Sequence, residues 1–175
     1  MTPNTRRDAL SQIECAMVRI RRSQTRRTIG RAMEHELGIR FNMAHSFVAD
    51  ALEEANGVPG NEPSVGMVAE LLGVDPSRAS RMVADAIRGG YVRRVASQVD
   101  GRRVRLELTG AGRKLLRTTS GFRRHFFSKV MASWSENDCA EFARLLTKFT
   151  QPLQAVGVLG TPAYKPSRNR HRSGK

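Results

Sequence analysis

Apolar residues recur along this chain with a helical period over most of its length and with a two-residue period in one short region. Leu10, Ile13, Met17 and Ile20 fall at three- and four-residue steps, which predicts a long first helix from Thr5 to about Leu37, carried on out of phase by Ile29, Met33 and Leu37. Gly38 ends it, and Asn42 caps a second helix whose apolar side holds Ala44, Phe47, Val48, Ala51, Leu52 and Ala55. A Gly/Pro/Asn loop follows. Ser64 can accept a bond from an unpaired first-turn N–H and so open a short helix through Leu72, which Gly73 closes. Asp75 followed by Pro76, a cap and then a first helical residue, opens another that runs to Gly89 and Gly90.

The periodicity then changes. Tyr91 to Ala96 and Val104 to Thr109 read as strands, the second alternating Val104, Leu106 and Leu108 with Arg105 and Glu107, and Asp100 with Gly101 supplies the reversal. Thr109 caps a long helix bearing Leu115, Leu116, Phe122, Phe126, Val130 and Met131, which stops near Trp134. Ser135 with Asp138 resembles a capping box for a last helix that has Phe142, Ala143, Leu145, Leu146, Phe149 and Leu153 on its buried side. The whole predicts a mainly α fold with a small β-hairpin wing: one domain over residues 5–160, with a winged helix-turn-helix lobe at 42–110 between helical segments 5–37 and 110–156. Residues 161–175 form a basic tail without periodicity, expected to be disordered.

Charge narrows the function. Lys and Arg number 30 against 16 Asp and Glu, a formal charge of +14 that makes the compact state repel itself unless a polyanion offsets it. Nucleic acid is the polyanion favoured over membrane phosphates; a merely solvating basic surface is the plainer alternative. No apolar run approaches the roughly 20 residues that span a bilayer. The N-terminal residues mix Arg and Glu with apolar positions, unlike a secretory signal, so a cytoplasmic, nucleoid-associated protein is expected. Cys15 and Cys139 lack neighbouring ligands at metal spacing, which predicts reduced thiols, no structural zinc and no cofactor.

Within the lobe, Ala69 is small where two helices cross, Gly73 suits a left-handed turn and Val74 fills the angle between them. On the next helix Ala79, Met82, Val83, Ala86 and Ile87 share one face, leaving Ser77, Arg81, Ala84 and Arg88 opposite, flanked by Arg78 and Ser80. Arg presents a planar fork that matches guanine O6 and N7, and Ser serves bases or phosphates, so this face suits a major groove; a solvated charged face is the competing reading. The hairpin tip brings up Asp100, Arg102 and Arg103, with Arg93, Arg94 and Arg105 on its strands. A tip arginine fits the negative potential of a narrow minor groove, and Asp100 is placed to orient Arg102 or Arg103 rather than to touch phosphate.

Asp100, Arg102, Leu108, Thr109 and Gly112, preceded by Gly73 with Val74, Ser77 with Arg78, and Gly90 with Tyr91 and Val92, resemble the MarR family of bacterial regulators in element order from about Asn42 to Phe149. The resemblance implies a homodimer whose terminal helices interlock, and a repressor reading a pseudo-palindromic operator in double-stranded DNA. It implies base contacts for Ser77, Arg78, Ser80 and Arg81, a minor-groove role for Arg102, an orienting role for Asp100, and release by a small aromatic or lipophilic effector. Arg88 and Arg103 join the DNA-facing set on position. His35, Phe41 and His45 could line an effector pocket or pack the core. Cys15, one turn from Arg19, could sense oxidants as cysteines of some relatives do, or fill the helix stripe as a small apolar residue. The Arg-rich first helix and the basic end depart from the family pattern and could touch DNA backbone. No phosphate loop, nucleophile elbow or metal motif points to an enzyme. The alternative function is a sequence-indifferent architectural DNA- or RNA-binding protein.

Overall fold

A computed structural model describes residues 3–25, 30, 35, 42–97 and 104–155. The chain divides into two compact units, Met1–Met43 and Ala44–Lys175. The first is built on helix α1 (Pro3–Thr25). The stripe of Leu10, Ile13, Met17 and Ile20 lies along it and is exposed in the single chain, as are Arg6, Arg7, Arg19, Arg21 and Arg22. Gly30 is helical and buried against the Met43 side chain, and His35 is helical and exposed. Ile29, Met33 and Leu37, expected to continue the helix, lie outside the described residues, as does the basic tail.

The second unit runs α2 (Met43–Asn56), α3 (Val65–Leu72), α4 (Pro76–Arg88), β1 (Val92–Ala96), β2 (Val104–Leu108), α5 (Gly110–Val130) and α6 (Glu136–Ala155). The expected caps set these boundaries. Ser64 Oγ accepts from the Met67 N–H at 3.3 Å, and Asp75 Oδ1 accepts from the Arg78 N–H at 2.8 Å, each satisfying a donor that the first helical turn leaves unpaired. Gly73 takes φ 60° and ψ 37°, the left-handed conformation that costs a glycine little, and its N–H closes α3. The Asp138 N–H donates to Ser135 Oγ at 3.1 Å, while Ser135 Oγ at 2.6 Å and the Ser135 N–H at 3.3 Å donate to Asp138 Oδ2 and hold that carboxyl below its ordinary value.

The core gathers Val48, Leu52, Val68, Val83, Ala86, Val92, Leu106 and Leu108, so that α2, α3, α4 and the hairpin share one interior. The strands pair antiparallel, Val92 opposite Leu108 and Arg94 opposite Leu106, and the Pro63 carbonyl accepts from the Leu106 N–H at 2.7 Å, fastening the preceding loop to β2. Val104 departs from the expected alternation by being exposed, since it sits at the loop end of the hairpin, opposite Ala96 and away from the core. Arg123 on α5 grips Asp50 on α2 with two bonds of 2.9 and 2.7 Å. On the last helix Phe142, Leu145, Leu146 and Phe149 form the expected apolar face, but each is 44–46% exposed in the single chain, although the Trp134 ring meets that of Phe142 edge-on at 5.3 Å.

The junction of hairpin and α5 is the tightest contact in the unit. Thr109 Oγ1 donates to the Gly90 carbonyl at 2.6 Å and accepts from the Gly112 N–H at 3.1 Å, while the Thr109 N–H bonds the Tyr91 carbonyl at 3.0 Å. A Cβ on Gly112 would lie 2.1 Å from that Tyr91 oxygen, so the helix approaches the backbone as closely as it does only because position 112 has no side chain. Gly112→Ala gains about 1 kcal/mol of helix propensity. Overpacking against backbone costs about 1–3 kcal/mol, and loss of the Thr109 bond about 1 kcal/mol more. A net loss in thermal or urea unfolding is expected. Gly110→Ala, where a Cβ meets nothing within 4 Å, serves as the control and is expected to leave stability unchanged or slightly raised.

Candidate nucleic-acid interface

Helix α4 owes its place to its two ends. Asp75 and Pro76 fix its start, the Val74 N–H reaches back to the Ala69 carbonyl at 3.1 Å to tighten the turn after α3, and Ala79, Val83 and Ala86 are fully buried. The opposite side is thereby forced outward. Ser77, Arg78, Ser80 and Arg81 are all exposed on the first turns, and Arg81 Nε donates to the Ser77 carbonyl at 3.4 Å, laying its guanidinium back along the helix. Ala84, expected on the same outward face, is half-buried. Arg88 is exposed at the end of the helix but ion-paired with Asp85, so its charge is already partly neutralised, which the outward helical spacing alone did not reveal.

Beside this helix the hairpin presents a second basic surface. Arg93 on β1 stands opposite Glu107 on β2 and donates to Glu107 Oε2 through Nε at 3.1 Å and Nη2 at 2.8 Å. Arg105 bonds the other oxygen of the same carboxylate. The hydrogen bond from Arg93, aided by the fields of Arg105 and Arg113, holds the Glu107 carboxyl below its ordinary value. Arg94 is exposed, opposite Leu106. Asp100, Arg102 and Arg103, the expected tip of the wing, lie outside the described residues. The role of Glu107 as the shared acceptor was not foreseen from sequence; the only signal was an acidic residue alternating with arginines in a two-residue period.

His45 on α2 lies against Tyr91, ring centroids 5.0 Å apart. Phe41 lies outside the described residues. Cys15 is exposed on α1, in a shallow groove shared with Ser11, Gln12, Ala16 and Arg19, and so does not fill a packed stripe within the single chain. Among the described residues no group of His, Cys, Asp or Glu is arranged to hold a metal, and no helix is long and apolar enough to cross a membrane.

The capped helix-turn-helix with its outward Ser/Arg face and the first strand of the hairpin lie within residues 42–103, the segment that the MarR family model matches. Over that segment the winged lobe is similar to the MarR family. Solved structures share the fold. A MarR family protein from Bacillus stearothermophilus superimposes with a TM-score of 0.68 at 21% identity, over 88% of this chain and 99% of that one. Streptococcus pneumoniae FabT in complex with DNA gives 0.60 at 21% identity, over 82% and 99%. RV1404 from Mycobacterium tuberculosis gives 0.62 at 21% identity, over 82% and 92%. No curated protein sequence is similar enough to match.

Within the winged lobe, His45 supplies a pH dependence of stability. Burial lowers its proton affinity below the ordinary 6.5, with Asp85 opposing that shift more weakly. The unfolded chain therefore takes up the proton first, and stability present above pH 6.5 is lost as the pH falls from there toward the lower folded value. The carboxyls of Glu107 and Asp138, also lowered, lose their contribution only below their ordinary values of 4.5 and 3.8. His45→Gln is expected to flatten the loss of melting temperature between pH 7 and pH 5.5 while leaving the steeper fall below pH 4.5 in place; an unchanged upper slope would show that another group carries it.

Proposed function

We propose that this chain is a sequence-specific double-stranded DNA-binding regulator of transcription that acts as a homodimeric repressor. The observation that carries the reading is the outward face of α4, where Ser77, Arg78, Ser80 and Arg81 stand clear of the core on the first turns of a helix braced by two caps. Helix dimensions and the donors on that face fit a major groove, Arg as a fork for guanine and Ser for bases or phosphates. Arg102 enters the adjacent minor groove with Asp100 orienting it, Arg103 and Arg88 add phosphate contacts, and Arg88 must exchange Asp85 for phosphate to do so.

Dimerisation is supported by apolar side chains that the single chain leaves in water, Leu10, Ile13 and Ile20 on α1 and Phe142, Leu145, Leu146 and Phe149 on α6. Two copies related by a twofold axis read two half-sites of a pseudo-palindrome. A small aromatic or lipophilic effector relieves repression. Nothing in this reading calls for catalysis, a metal or a cofactor.

The test compares a duplex from the gene's own upstream region with a shuffled duplex of equal length, by fluorescence anisotropy over a range of salt. Sedimentation should show a dimer. The wild-type protein is expected to prefer its own duplex, with affinity for both falling steeply as salt rises. Arg81→Ala should narrow that preference by about 1–3 kcal/mol, and Arg102→Ala should cost about the same on the cognate duplex. Equal binding of both duplexes by wild type at every salt concentration would replace this reading with the sequence-indifferent one.

A further inference from the structure

The outward face of the hairpin carries more positive charge than it displays. Arg93, Arg105 and Glu107 share that face: the strand register sets Arg93 directly across from Glu107, and Arg105 lies two residues before it on β2. Both oxygens of the carboxylate are taken, Oε2 by the two donors of Arg93 at 3.1 and 2.8 Å and Oε1 by Arg105. Arg113, at the start of α5, adds a third positive field to the same group while its Nη1 donates to the Leu108 carbonyl at 2.7 Å. The two bound arginines are not equally reachable. The Arg93 side chain is 62% exposed, while those of Arg105 and Glu107 are 24% exposed, so Arg93 meets an approaching polyanion first.

A guanidinium held this way has fewer donors and less net charge to offer a phosphate. Each cation that neutralises a phosphate contributes to affinity by releasing a condensed counterion, whatever the base sequence. We propose that Glu107 is a positioning residue that holds down the sequence-indifferent part of DNA affinity, by engaging Arg93 and Arg105 so that the wing strands do not grip the phosphate backbone. The inference rests on the DNA-binding reading above. It gives the acidic residue of a strongly basic hairpin a purpose distinct from base recognition: α4 sets which sequence is preferred, and Glu107 sets how tightly any duplex is held. With a formal charge of +14 on the chain, such restraint decides how much of the protein is sequestered on unrelated DNA.

Glu107→Gln keeps the shape and removes the charge. Against the same two duplexes it is expected to bind both more tightly at 100 mM salt, by about fivefold per lobe, with the slope of log affinity against log salt steeper by about one per lobe and the preference between duplexes unchanged. Arg93→Gln alone should bind both duplexes somewhat more weakly than wild type, because it removes a cation and leaves the Glu107 carboxylate less neutralised, and Arg93→Gln combined with Glu107→Gln should lose most of the gain. A Glu107 that merely held the strands together would, on substitution, lower the melting temperature and weaken binding to both duplexes without steepening the slope, and that result overturns the proposal. Unchanged affinity and slope overturn it equally. Should wild type bind neither duplex, the DNA-binding reading falls and the proposal with it; wild-type binding that Glu107→Gln merely reproduces defeats the proposal alone.

Discussion

The winged lobe depends on the contact between the first turn of α5 and the backbone of Tyr91. Three chain segments meet there: the end of the turn after α4, the start of β1 and the cap of α5, tied by the two bonds of Thr109 Oγ1 and the N–H of the same residue. Only a residue without a Cβ lets the helix come so near, and Gly112 provides it. Tyr91 is also the residue on which His45 leans, and its N–H reaches the Ala86 carbonyl at 2.9 Å. The orientation of α4 relative to the hairpin is therefore fixed at the point where α5 begins.

From that constraint the exposed surface follows. With Ala79, Val83 and Ala86 committed to the core, the polar side of α4 has no choice but to face outward, and the hairpin strands lie beside it with their arginines on the surface. The two basic surfaces differ in kind. Among the described residues Arg78 and Arg81 have no carboxylate partner, whereas Arg93, Arg105 and Arg88 are each joined to one. Surface pairs of this sort add little to folding stability, typically about 0–1 kcal/mol, so their effect is felt in the electrostatics of what approaches.

What the sequence disclosed, and what it hid, separates along a physical line. Caps and turns were legible because they are local: Ser64, Asp75, Thr109 and Ser135 each bond a donor three residues on, and Gly73 answers a backbone angle at its own position. The buried face of α4 was legible from helical spacing. The pairing of Glu107 with Arg93 was not, because it depends on the strand register across fourteen residues, and neither was the double bond from Arg123 to Asp50, seventy-three residues apart. Thr109 and Gly112 were legible as a pattern, but the reason for the glycine, an oxygen twenty-one positions earlier in the chain, required coordinates. The face of α6 was legible as apolar, but what covers it was not, since the single chain leaves it exposed and periodicity reports what a face is made of and not what lies against it.

Helix α5 is pinned at two places, by Gly112 against Tyr91 and by Arg123 against Asp50, eleven residues apart. At a rise of about 1.5 Å per residue these pins stand about 16 Å from each other. A rod fixed at one point can swivel; one fixed at two holds its bearing. The far end of α5, which carries Phe127 and Val130 into solvent, thus works as a stiff pointer whose bearing is set inside the lobe, and whatever those side chains come to rest on inherits that bearing with little loss.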